Sequence, residues 1–276
     1  MTGRGPSVPR TPPGTLAGMR TVHVVGIGAG DPRQLTLQAV QTLESVDVVL
    51  LLNKRGRADE LTDLRADIAA RFAPRARVVR RDDAYRPRGT TEEARYLATT
   101  EAWRDERVLL YEELITAEVP EGGSVALLAW GDPGIYDGTV DAVARIVERG
   151  VLALDWTVVP GVGAPAALTA AHRTTMTRTG RPVVVTPARQ VIAGTPTDDA
   201  DLVVMLDGNA HHATADLPDD AEVFWGAYLG TPDETLIAGR LGEVRQRILA
   251  TRADLRERKG WIMDTYLVRL PDGPVT

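Results

Sequence analysis

Two spacings of apolar residues alternate along the first half of the chain. Residues 22–25 and 46–52 are short, nearly continuous apolar runs, the pattern of strands buried on both faces of a parallel sheet. Between them Leu35, Ala39 and Leu43, with Val40 beside them, recur at helical spacing and complete one strand–helix–strand unit. The alternation continues with a helix near 61–72, a strand near 77–81 and a long helix within 92–116. A strand at 124–130 and a helix over 139–148 follow. This grammar predicts a parallel-sheet α/β domain over residues 19–150.

The pattern changes after residue 150. A short strand at 157–159 leads into PGVGAPAALTAA, which starts a helix with Pro165 in its first turn. Apolar runs then fall at 182–186, 202–206, 222–229, 234–238 and 261–270. Among the last of them lies one good helix, with Leu241, Val244, Ile248 and Leu255 on its inner side. Several strands with few helices predict a mixed-sheet α+β domain over residues 151–276. The expected fold class is thus α/β in two domains. Residues 1–18 are rich in Pro, Gly and Arg without an apolar run, and read as a disordered lead-in with Met19 as an alternative start.

Composition narrows the chemistry. With 43% hydrophobic and 25% charged residues, the 276-residue chain can bury a core. No apolar run approaches the roughly 18 residues a membrane helix needs, so no membrane partner is expected. The absence of cysteine excludes disulfides, thiolate metal sites and cysteine nucleophiles, and fits a cytoplasmic protein. His23, His172, His211 and His212 lack metal-ligand spacing, so no metal site is expected. A net charge of −6 argues against a nucleic-acid partner.

Three glycine-bearing loops each follow a strand: GIGAGDP, WGDPGIYDG and PGVGAPAA. In parallel α/β sheets ligands bind at the carboxyl ends of strands, so three such loops at one end form a single cleft. The first loop is not a dinucleotide fingerprint. Pro32 stands where the third glycine of G-x-G-x-x-G belongs, and no acidic residue ends the second strand to bind a ribose. An NAD-binding oxidoreductase is therefore the weaker reading.

The wording of these loops resembles the tetrapyrrole (corrin and porphyrin) methylase family. VVGIGAGDPRQLTLQAV is similar to its first signature, VALLAWGDPGIYDGT to its G-D-P motif and VVPGVGAPAALTAA to its V-V-P-G motif. Further along, LLYEELI, VVMLDG, WGAYLGTPDETLIAGRL and KGWIMDTYLVR resemble one branch, which methylates precorrin-5 at C-1 and releases acetate to give precorrin-6A. The resemblance runs from about Arg20 to the C-terminus. It implies a homodimer that binds S-adenosyl-L-methionine between two domains, with S-adenosyl-L-homocysteine as product and a precorrin as small-molecule substrate. It places cofactor contacts at Ala29, Gly131, Asp132, Ile135, Gly163, Ala164, Leu206 and Gly230. Small residues let backbone approach a ligand closely, and Ile135 and Leu206 suit an apolar slot for adenine. A different precorrin carbon is the alternative within the family.

Methyl transfer to carbon is an in-line displacement in which positioning dominates. Loss of an acetyl group needs a water and a base, for which Asp31, Asp207 and Tyr266 are candidates. Asp31 also suits a plain helix-start residue. Some C-methylases of the family carry an aspartate near the end of the second strand. Here the matching positions are Leu52, Asn53 and Lys54, so that role is not carried over. A polycarboxylate substrate calls for basic groups, and Lys54, Arg55, Arg80, Arg81, Arg86 and Arg88, around Asp82, Asp83 and Tyr85, are the candidates.

Overall fold

The computed structural model describes residues 18–53, 59–84, 93–192, 200–208, 210 and 217–271. The first unit is an all-parallel sheet ordered β3-β2-β4-β1-β5, with β1 Arg20–Gly26, β2 Val48–Asn53, β3 Arg77–Asp82, β4 Ser124–Ala129 and β5 Leu154–Val159. Its strands alternate with α1 Leu37–Ser45, α2 Asp59–Phe72, α3 Glu93–Glu118 and α4 Thr139–Arg149. The continuous apolar run of β2 follows from burial on two sides. Val48, Leu50 and Leu52 pack with Val108 and Ile115 of α3, whereas Val49 and Leu51 pack with Leu43 of α1 and Ile68 of α2. Local chemistry sets the helix ends. The Thr36 hydroxyl caps α1 by accepting from the Ala39 N–H at 3.0 Å, and Gly150 closes α4 in the left-handed conformation.

The second unit is a five-stranded mixed sheet ordered β6-β7-β10-β8-β9. Its strands are β6 Val183–Pro187, β7 Asp201–Met205, β8 Glu222–Ala227, β9 Thr235–Arg240 and β10 Asp264–Arg269. Only the β6–β7 pair is parallel. On one face lies α7 Leu241–Lys259, whose Leu241, Val244, Ile248 and Leu255 are buried as their spacing predicts. On the other lies α5 Ala164–Ala171, packing Ala167 and Leu168 against Val203, Phe224 and Leu267, while α6 Ala188–Ile192 follows β6.

One strand belongs elsewhere than its place in the sequence suggested. The strand expected at 157–159, assigned to the second unit, is the end of β5, and β5 pairs with β1 from Arg20↔Leu154 to Val25↔Val159. Its residues are half-buried or exposed up to Val159, because an edge strand lacks a neighbour on one side. The alternation of LDWTVV marks a strand but does not say which sheet it joins. The chain changes sheets between β5 and β6.

Among the described residues no helix is long and apolar enough to cross a membrane, and no group of three or more His, Asp or Glu side chains could hold a metal.

A buried ion pair joins α7 to the sheet. Arg252 Nε donates to Asp264 Oδ2 at 2.9 Å, and the Trp225 indole N–H donates to the same oxygen at 2.9 Å. Burial pushes the Asp264 carboxyl above its ordinary range, against the pull of Arg252 and Trp225. Removing one partner strands the other charge in the core. Arg252→Met should therefore cost about 3–5 kcal/mol in urea denaturation. Adding Asp264→Asn should recover part of that loss, and a double variant no better than the single one would contradict the pairing.

Candidate active site

Three loops leave the carboxyl ends of β1, β4 and β5 at the same height, because Gly26 pairs with Ala129 and Val25 with Val159. They meet backbone to backbone. Gly131 N–H donates to the Gly28 carbonyl at 2.8 Å, and Gly28 N–H returns a bond to the Gly131 carbonyl at 3.2 Å. Gly161 is wedged behind this bridge: a Cβ on it would lie 2.1 Å from the Gly131 oxygen and 2.9 Å from Gly26 Cα. Asp132 stitches the second loop to the third, its Oδ1 accepting from Gly134 N–H at 2.8 Å and its Oδ2 from Gly161 N–H at 2.9 Å.

Gly131 itself has a φ of 72°, yet a Cβ there would meet its first neighbour, Gly163 Cα, only at 3.6 Å. The space beside it is open. Ile135 Cδ1 stands 3.3 Å from the position a Cβ on Gly163 would take, and Ala164 N lies 3.8 Å from the Gly131 one. The structure thus brings Gly131, Asp132, Ile135, Gly163 and Ala164 together.

The second unit reaches the same place through the β8–β9 loop. A Cβ on Gly230 would come within 2.7 Å of Asp31 N, and one on Gly30 within 2.5 Å of the Leu229 carbonyl. Ala29 is buried between them, its N–H held by Gln34 Oε1 at 2.7 Å. Leu206 directly follows β7 with a φ of 57° and 62% exposure, an apolar side chain in a strained backbone. Such strain costs of order 1–3 kcal/mol and persists only where the surroundings hold it.

Next to Leu206 in the chain, Asp207 pairs with Tyr266. Both are buried, and the Tyr266 hydroxyl donates to Asp207 Oδ2 at 3.0 Å. Burial, with Asp207 beside it, pushes the Tyr266 hydroxyl well above the ordinary tyrosine range. Arg252 also donates to the Asp207 carbonyl. Asp31 lies apart from this pair. It caps the short 3-10 turn Pro32–Gln34, accepting from Arg33 N–H at 2.8 Å, and pairs with the Arg33 guanidinium at 2.6 Å. The Arg33 side-chain bond holds its carboxyl below the usual range.

The arginines singled out for carboxylate docking divide. Arg80 pairs with Asp63 at 3.7 Å and Arg81 with Glu118 at 3.3 Å, both on the exposed edge strand β3. Lys54, Arg55, Tyr85, Arg86, Arg88, His211 and His212 lie outside the described residues. His23 bonds Thr157 Oγ1 at 2.8 Å across β1 and β5, and His172 bonds the Trp225 carbonyl at 3.0 Å.

Residues 21–245 match the family Tetrapyrrole (Corrin/Porphyrin) Methylases. The chain belongs to this family. It is 40% identical over 253 residues to a precorrin-6A synthase [deacetylating] of Sinorhizobium sp, a match covering 92% of this chain and 96% of that one. Among solved structures it is similar to a protein from Corynebacterium diphtheriae described as cobalamin synthesis related (CobF). That match has a TM-score of 0.78, 32% identity, and coverage of 92% of this chain and 100% of that one. The uroporphyrin-III C-methyltransferase of Thermus thermophilus, complexed with S-adenosyl homocysteine, shares the fold at TM-score 0.55 and 19% identity, covering 90% of this chain and 97% of that chain.

Three side chains around these loops went unmentioned in the sequence reading. The Gln34 amide oxygen accepts from the Ala29 N–H and so supports the first loop. Tyr136, with a φ of 52° and 47% exposure, spans the units by donating from its hydroxyl to the Val185 carbonyl at 3.2 Å. Positive φ at a tyrosine leaves no trace in composition or spacing. Lys259 bridges Glu60 of α2 at 2.9 Å and Asp233 of the β8–β9 loop at 2.6 Å, over the Tyr228 ring. These partners are remote in sequence, so no local pattern announces them.

Tyr228 anchors the start of the Gly230 loop, its hydroxyl donating to the Trp261 carbonyl at 2.6 Å. Burial pushes that hydroxyl from 10.0 up to about 12. A raised folded-state value means its contribution to stability is intact below pH 10 and is lost as pH climbs to about 12. Chemical denaturation across that window should show the wild type losing stability more steeply than Tyr228→Phe. Parallel curves would remove Tyr228 from the account.

Proposed function

We propose that the chain is an S-adenosylmethionine-dependent C-methyltransferase of corrin-ring synthesis, converting precorrin-5 to precorrin-6A by methylation at C-1 with release of acetate. The observation that carries this reading is the 40% identity to a precorrin-6A synthase [deacetylating] across 92% of the chain, through both units. The loop geometry supports it. Side chains are missing where a ligand would press on backbone, at Gly131 and Gly163, and the walls offer Ile135 and Leu206 as apolar surface. A cytoplasmic homodimer belongs to the same proposal and rests on the family resemblance.

When bound, S-adenosylmethionine supplies an electrophilic methyl group on a positively charged sulfur. Gly131, Asp132, Ile135, Gly163 and Ala164 form one wall for it, Ala29 and Gly230 a second, and Leu206 the apolar contact. Asp132 shapes the wall by fixing two backbone amides. Deacylation adds water to the acetyl carbonyl carbon. The bond to C-1 then breaks, its electron pair stays on the ring, and the acetyl group leaves as acetate carrying the water oxygen. Of the three candidates for assisting that water, Asp31 lies on the cleft loop and stays ionised beside Arg33. We assign Asp207 and Tyr266 the part of positioning Leu206, since both are buried and bonded to each other.

Incubation with precorrin-5 and methyl-labelled S-adenosylmethionine should yield one acetate for each methyl group transferred. Methylation without acetate would refute the deacetylating assignment and favour another ring carbon. Gly131→Arg fills the open side of the loop. It should abolish S-adenosylhomocysteine binding in calorimetry while the far-ultraviolet circular dichroism stays native, and retained binding would count against this cleft.

A further inference from the structure

A second polar cluster lies at the carboxyl end of the first sheet, one strand away from the glycine loops. Asn53 ends β2, its carbonyl accepting from Asp83 N–H at 2.9 Å. Asp83, just past β3, is buried and lies 3.2 Å from Arg107 Nε of α3. Arg107 also donates to the Tyr111 hydroxyl at 3.3 Å and lies over the Trp103 ring at 5.1 Å. Asp137 of the G-D-P loop bonds Thr139 N–H at 2.7 Å. The two carboxylates therefore have protein partners, and Arg107 has one of them.

Arg65 does not. It comes from α2, on the opposite face of the sheet from α3, yet it interacts electrostatically with Tyr111, Asp137, Arg107 and Asp83. Its guanidinium must therefore reach over the ends of the strands. Its Nε is buried without a hydrogen-bond partner, and it forms no ion pair among the described residues. Thr62, one turn earlier on the same helix, is buried with its hydroxyl oxygen likewise unpartnered, as is Asn53 Oδ1. Burial depresses the basicity of this guanidinium while Tyr111, Asp137 and Asp83 oppose that, and a buried donor left without a hydrogen bond is costly. Among the described residues, Arg65 Nε and the Thr62 hydroxyl are thus two buried donors that make no hydrogen bond.

We propose that Arg65, aided by the Thr62 hydroxyl, docks a carboxylate of the substrate at the carboxyl end of β2. The inference rests on the precorrin reading above, since a polycarboxylate ring supplies such a group. A carboxylate accepts in the plane of a guanidinium, so the contact would fix the ring's orientation beside the loops. Arg80 and Arg81 are occupied by Asp63 and Glu118 and are not needed for it.

The test uses the full chain with precorrin-5 and, separately, S-adenosylhomocysteine. Arg65→Gln should raise KM for precorrin-5 roughly tenfold or more with kcat changed by less than about threefold, and should weaken precorrin-5 binding in an absorbance titration to match. Arg65→Lys, which keeps the charge, should recover part of that loss. S-Adenosylhomocysteine affinity should not move. A loss of S-adenosylhomocysteine affinity instead would overturn the proposal by assigning the anion to the cofactor's amino acid end. An unchanged KM with only a lowered melting temperature would overturn it in favour of a structural network. If Arg65→Gln does not fold, Thr62→Val decides: a KM rise of about threefold supports docking, and an unchanged KM overturns it. A wild type that binds precorrin-5 with Arg65-dependent affinity but transfers no methyl group would sink the proposed reaction and leave this subsite standing.

Discussion

Gly161 sits where three loops touch, so close that a Cβ on it would collide with the Gly131 carbonyl. Everything at the site depends on that approach of backbone to backbone. It is possible only because β1, β4 and β5 run parallel and in register, so that their loops emerge together. The bridge between Gly28 and Gly131 and the two bonds from Asp132 satisfy the amides that such a junction would otherwise leave exposed to a cleft. Joined through backbone and the Asp132 carboxylate, the loops present peptide groups to the space beside Gly131. That surface suits a ligand without phosphate, whose recognition calls for amides, carbonyls and an apolar slot.

The second unit contributes by holding strain. Leu206 is exposed in a left-handed conformation at the end of β7, and its neighbour Asp207 is buried against Tyr266. The same region carries the Arg252–Asp264–Trp225 network, with Arg252 serving both the Asp264 carboxylate and the Asp207 carbonyl. A buried polar network is weak as a source of stability but has few alternative arrangements. It fixes the backbone just beyond the strand, next to the strained Leu206.

Particular elements show how far the sequence could be read. β2 was legible because burial on both faces leaves an unbroken apolar run, and α7 because its inner face repeats at 3.6 residues. β5 was misplaced because a local pattern marks a strand without naming its partner, here β1. Asp207 and Tyr266 were singled out as candidate bases, and sequence could not tell a catalytic pair from a buried anchor. The distinction lies in burial and mutual bonding across 59 positions. Arg65 gave no local sign at all, being one arginine on an amphipathic helix until its reach over the sheet is seen.

The amino-acid sequence alone determined the elements, the two sheet types and the family, since these depend on local periodicity and on the wording of short glycine loops. Tertiary structure decided which strand joined which sheet, which loops touched and which charges found partners. Those outcomes depend on distances between residues far apart in the chain, and on how much water is left around them. A carboxylate or a guanidinium has one identity in sequence, but its chemistry is set by its surroundings. Asp31 beside Arg33, Asp207 bonded to Tyr266 and Arg65 with a buried Nε that makes no hydrogen bond among the described residues differ for that reason.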